Sequence, residues 1–170
     1  MKKFFILFVI MFAILFSGCS KTTAFDYFSM SPYYEKAVLQ MQKMSLMQNE
    51  ETKALVHAIY LNNIDPKMYK GGEYFYVALH IVKDNEDEKT RGLYNKEYSL
   101  RLKENKKSFS SALEIHNLES NNNLRLRMPI HNAWSQYYLL KFKTMNQKTL
   151  RLSFENDQFG KAQLVFAKEE

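Results

Sequence analysis

Apolar and cationic residues alternate in three short stretches of this chain: Leu100-Arg101-Leu102-Lys103, Leu124-Arg125-Leu126-Arg127 and Leu150-Arg151-Leu152. A period of two puts the leucines on one face of an extended strand and the cations on the other, so each stretch reads as a half-buried strand. Residues 73–82 differ. Phe75, Val77, Leu79 and Ile81 fall on one face and Tyr74, Tyr76, Ala78 and Val82 on the other, a pattern of a central strand or of one covered by a helix. Aromatic and branched residues dominate eight such runs, at 52–61, 73–82, 97–103, 108–116, 123–128, 135–142, 149–154 and 161–167. Polar segments rich in Asn, Asp, Lys, Gly and Pro separate them.

Ahead of the strands, Ser31-Pro32 has the form of an N-cap followed by proline at the first helical position, which predicts a short helix over 32–38. Residues 39–47 fit helical spacing and strand alternation alike; the strand-rich sequence that follows favours a strand, closed by the polar residues 48–51. Short strands at regular spacing with polar turns predict a mainly β protein, an antiparallel β-sandwich of immunoglobulin-like architecture with one short N-terminal helix.

The first residues follow another pattern. Met1-Lys2-Lys3 is positive, 4–16 is an unbroken apolar run, and small residues lead to Cys19, the single cysteine of the 170-residue chain. A run this short is below the roughly 20 residues needed to span a bilayer and has the layout of an export signal. With no second cysteine, an intramolecular disulfide or a thiolate metal site is excluded. Ser17-Gly18-Cys19 resembles the lipobox of bacterial lipoproteins, although Phe16 stands where leucine is usual and Leu15 lies one step further back. The resemblance covers residues 1 to about 21 and implies cleavage before Cys19 and its acylation. Two or three acyl chains, each methylene contributing about 0.8 kcal/mol, then anchor the protein. Ser20 in place of aspartate after the cysteine implies the outer membrane where the cell has one. The expected organisation is a signal peptide at 1–18, an acylated tether at 19–30 and a single sandwich domain at 31–170, which is an ordinary domain size.

Charge and compartment narrow the function. The formal net charge is +6, and loss of Lys2 and Lys3 with the signal reduces it by two. In an exported protein this modest excess argues against nucleic acid, and the compartment argues against ATP- or nicotinamide-dependent chemistry, so no cofactor is expected. Membrane lipid, lipopolysaccharide, cell-wall polymer or another envelope protein are the available partners.

Catalytic patterns are missing from the sequence. The five glycines frame no nucleophile elbow, phosphate loop or dinucleotide fingerprint. His57, His80, His116 and His131 are widely spaced and form no metal motif. The acidic run at 84–88 begins like a calcium loop, but Lys89 and Asn95 occupy the positions that would need glycine and a bidentate glutamate, so it reads as a solvated turn.

Two groups remain as candidate contacts. Arg101, Lys103, Arg125, Arg127 and Arg151, together with the pair Lys141/Lys143, would form a cationic surface for an anionic partner if their strands shared one sheet; otherwise they are ordinary solvent-side residues of strands. Trp134, with Tyr137 and Tyr138 close by, could grip a sugar ring or a protein, or fill a core. These features point to a non-catalytic binding or assembly module, with an envelope hydrolase whose acid pair is separated in sequence as the alternative.

Overall fold

A computed structural model of the protein describes residues 30–105 and 108–169. The signal segment, Cys19 and the tether through residue 29 lie outside the described residues; the unit that follows spans Ser31–Glu170. In chain order its elements are α1 (Pro32–Gln40), β1 (Gln42–Gln48), β2 (Glu51–Tyr60), β3 (Glu73–Ile81), β4 (Tyr98–Lys103), β5 (Phe109–Ser111), β6 (Glu114–Asn117), α2 (Asn123–Leu126), β7 (Gln136–Phe142), β8 (Thr149–Asn156) and β9 (Gly160–Ala167).

The strands form two antiparallel sheets, sheet A in the order β1-β2-β3-β7-β6 and sheet B in the order β5-β4-β8-β9. The domain is a β-sandwich. Between the sheets lies the main core. Val56, Phe75, Val77, Leu79, Tyr138, Leu140 and Phe142 from sheet A meet Leu102, Leu150, Leu152, Phe154, Leu164 and Phe166 from sheet B. Each large side chain withdrawn there contributes about 1.5–3 kcal/mol relative to exposure.

Why β3 is apolar on both faces is now visible. Phe75, Val77, Leu79 and Ile81 enter the main core, while Tyr76 and Ala78 enter a second core on the outer side of sheet A. There Ile59 and Tyr137 join them under a cover built from Ala37 of α1, the turn residues Leu61, Ile64 and Tyr69, and Leu118, Met128 and Ile130 of the β6–β7 connection. The helix forms where expected. The Ser31 side chain accepts a hydrogen bond from the Tyr34 N–H at 3.2 Å, Pro32 occupies the first turn, and α1 runs two residues past the expected end.

Residues 42–48 are strand, and the hairpin after them is closed by Asn49 and Glu50, whose φ values of 51° and 66° are those of a two-residue turn of the hairpin type. At the opposite sheet edges, β1 and β9 are laced by one side chain: the Gln42 amide donates to Val165 O at 2.6 Å, and its carbonyl accepts from Val165 N at 3.3 Å. This amide stands in for a strand partner and satisfies backbone groups that an open sheet edge leaves unpaired.

Two expected strands need correction. Residues 108–116 are not one strand but two, β5 in sheet B and β6 in sheet A, with the chain crossing between sheets at Ala112 and Leu113. Residues 123–128 are not a strand. The Asn122 side chain accepts from the N–H groups of Leu124 at 2.9 Å and Arg125 at 3.4 Å, which satisfies the open end of a helical turn and starts α2 instead.

Candidate functional site: the outward face of sheet B

Sheet B presents its odd-numbered residues outward because the even-numbered ones, Leu102, Leu150, Leu152, Leu164 and Phe166, are held in the core. Register then decides which cations meet. Leu102 pairs with Leu152 and Arg101 with Ser153, so the next step along the strands sets Lys103 opposite Arg151. Lys103 and Arg151 line an open cleft of about 250 Å³ together with Glu104, Asn105, Gln147 and Thr149. Neither cation has a carboxylate partner among the described residues.

Arg101 is placed differently. Its guanidinium pairs with Glu155, which also receives Lys161 at 3.2 Å. The Phe109 ring lies under both cations, 5.1 Å from the Arg101 guanidinium carbon and 4.1 Å from the Lys161 ammonium. Ser153 Oγ, Arg101 Nε and Tyr76 Oη are the buried polar atoms without a partner among the described residues. The first two belong to residues directly opposite each other across β4 and β8. At the rim, Lys143 bonds Glu104 at 2.6 Å, and this ammonium holds the carboxyl below the usual carboxylate range. Among the described residues named for this face and its rim, Arg101 and Lys161 pair with Glu155 and Lys143 with Glu104, whereas Lys103 and Arg151 have no carboxylate partner. The positive excess is centred on Lys103 and Arg151.

The cationic set read from sequence is therefore divided. Arg101, Lys103 and Arg151 share the outward face of sheet B, but Arg125 and Arg127 belong to α2 and its C-cap, against the second core. Arg125 lies 3.9 Å over the Tyr137 ring and donates to Leu118 O at 3.3 Å. Lys141 is on β7 of sheet A, bonded to Glu114 at 2.7 Å. Alternation of leucine with arginine does not by itself distinguish a strand from one helical turn; the Asn122 cap does.

The aromatic group is divided as well. Tyr137 and Tyr138 are buried and cannot serve as surface contacts, being neighbours on β7 that point into opposite cores. Burial pushes the Tyr138 hydroxyl up to about 12. Trp134 is 66% exposed, on the loop before β7, with its carbonyl 3.1 Å from His80 Nδ1. We expect Trp134→Ala to change unfolding free energy by no more than about 0.5 kcal/mol, as for other surface positions. Fluorescence of the parent should be readily quenched by acrylamide; a shielded, blue-shifted emission would contradict the exposed placement.

Among the described residues, no group of three or more His, Cys, Asp or Glu is placed to hold a metal ion. The acidic run has a structural use that sequence reading missed. Asp84 accepts from Gly92 N at 2.6 Å, from the Asn95 amide at 3.2 Å and from the Gln136 amide at 3.2 Å, stapling the loop before β4 to β7. Gly92 is required there. Its φ is +63°, and an added Cβ would fall 2.0 Å from Gln136 Oε1 and 2.1 Å from Tyr138 Oη.

Phe109 and Lys161 were also missed, although both lie in runs of strand character. Their meeting depends on β5 and β9 flanking the same pair of central strands, which no local pattern encodes. Compared with known proteins, the chain matches no family model, no curated protein and no solved structure.

Proposed function

We propose that the chain is an exported lipoprotein, acylated at Cys19, whose β-sandwich is a non-catalytic binding or assembly module. Its partner would be an anionic envelope component, met on the outward face of sheet B. The observation that carries this reading is the pair Lys103 and Arg151, side by side over an open cleft and free of carboxylate partners. Unpaired cations on adjacent strands add their fields, and a polyanion gains from both at once. The order β2-β3-β7-β6 against β5-β4-β8-β9 supports the immunoglobulin-like architecture, with β1 as an added strand, since it follows the A-B-E-D and C′-C-F-G arrangement. Such sandwiches offer faces and loop ends to partners.

Anchoring is tested separately from binding. Cells expressing the parent should incorporate a palmitate analogue into the protein, and Cys19→Ala should abolish the label and shift the chain from the membrane fraction. Persistent label on the variant would refute the anchor.

A further inference from the structure

A second cleft, of about 460 Å³, opens between the loop that carries Glu88 and Arg91 and the β6–β7 connection. We propose that it binds the carboxylate of an acidic sugar. Two guanidinium groups line it. Arg125 is oriented in advance, stacked 3.9 Å over Tyr137 and tied to Leu118 O at 3.3 Å. Tyr137 is itself fixed, because its hydroxyl accepts from Asn132 N at 2.7 Å and donates to Asn132 O at 3.1 Å. A guanidinium has five N–H donors, so several remain for a ligand after these contacts. Among the described residues, the second guanidinium, Arg91, is bonded to the exposed Glu88 alone, at 3.1 Å. A ligand carboxylate entering the cleft takes the place of that glutamate with little loss, since an exposed pair is worth about 0–1 kcal/mol.

The remaining walls select the anion and what it is attached to. Glu119 lines the cleft as Glu88 does, so two carboxylates accompany two guanidinium groups and the local charge is balanced. A singly charged, planar carboxylate suits that balance and the forked donors better than a doubly charged phosphate. The side chains of Asn117, Ser120 and Ser135 also line it and have no protein partner among the described residues. Neutral hydroxyl and amide groups of this kind match sugar hydroxyls. The volume is within the range of small-ligand sites, roughly 300–1,000 Å³. This cleft shares no residue with the face of sheet B, so either site can fail without the other.

Ligand-observed nuclear magnetic resonance on the full chain in a neutral detergent tests the proposal, with glucuronate, glucose and inorganic phosphate as probes at equal concentration. Glucuronate should bind and glucose should not. Arg91→Gln should weaken glucuronate roughly tenfold, the effect of losing one charge-assisted contact, and Glu88→Gln should tighten it. Among the described residues neither side chain has a hydrogen-bond or ion-pair partner beyond the other, so both variants should fold; their thermal melts should match the parent's. Equal binding of glucose, tighter binding of phosphate, or an Arg91→Gln affinity equal to the parent's would overturn the assignment.

Discussion

Replacing Glu73 with alanine should lower the unfolding free energy by about 3–5 kcal/mol, the range for removing one partner of a buried ion pair. Glu73 begins β3 and is 2% exposed. Its carboxylate accepts from the Tyr60 hydroxyl at 2.5 Å, from Met145 N at 2.7 Å and from Lys168 Nζ at 2.6 Å. Lys168 also donates to Met145 O at 2.5 Å, so one side chain joins the end of β2, the loop after β7 and the C-terminal tail. The hydrogen bond and burial together raise the Tyr60 hydroxyl well above its ordinary value, burial being the larger cause. Alanine would leave a buried hydroxyl and a buried N–H without their acceptor and a partly buried ammonium without its counter-ion. Urea denaturation checks this. A loss under about 1 kcal/mol would mean that water replaces the carboxylate and that the cluster does not hold the tail.

Phe75→Ala should be of similar size, about 3–5 kcal/mol, for a different reason. Phe75 is fully buried on the central strand of sheet A. Its ring lies 5.1 Å from Tyr60, 5.8 Å edge-on from Phe142 and 5.3 Å edge-on from Phe166. Phe166 is on β9, so this contact connects the two sheets. Truncation removes the transfer free energy of the ring and leaves a void that three other rings, each held by its own strand, cannot close by collapsing. By contrast Phe109→Ala, on the outward face of sheet B, should cost under about 1.5 kcal/mol, since it forfeits only partial burial and cation–π contacts. The comparison is made by chemical denaturation of both variants. Equal losses would place the weight of the fold elsewhere than the inter-sheet aromatics.

The sandwich was legible because its strands alternate or, in β3, are apolar on both faces, and burial against two layers leaves a direct imprint on composition. Residues 123–128 misled because a four-residue helix is too short to display a period of its own, and Leu124-Arg125-Leu126-Arg127 satisfies a period of two by chance. The site was legible only in part. Arg101, Lys103 and Arg151 kept their strand geometry and their shared face, whereas Arg125 and Arg127 followed α2 to the other layer. Tyr138 was hidden by the core between the sheets and Tyr137 by the second core, which forms from residues as distant as Ala37, Tyr69 and Met128. Glu73 and Asp84 could not be found from sequence, because their partners lie up to 95 and 52 residues away.

The central claim, that the sheet B face receives an anionic partner, is met most directly by two charge reversals measured side by side. Residues 20–170, prepared without the lipid, are assayed for binding to anionic vesicles and to lipopolysaccharide at low and at high salt. Lys103→Glu/Arg151→Glu should weaken binding several-fold at low salt and little at high salt, because exposed charges are screened over about 8 Å at physiological ionic strength. Lys43→Glu/Arg127→Glu, on the outer side of sheet A and outside the second cleft, should leave this binding close to the parent's. No binding by the parent, or equal loss in the two variants, would contradict the account.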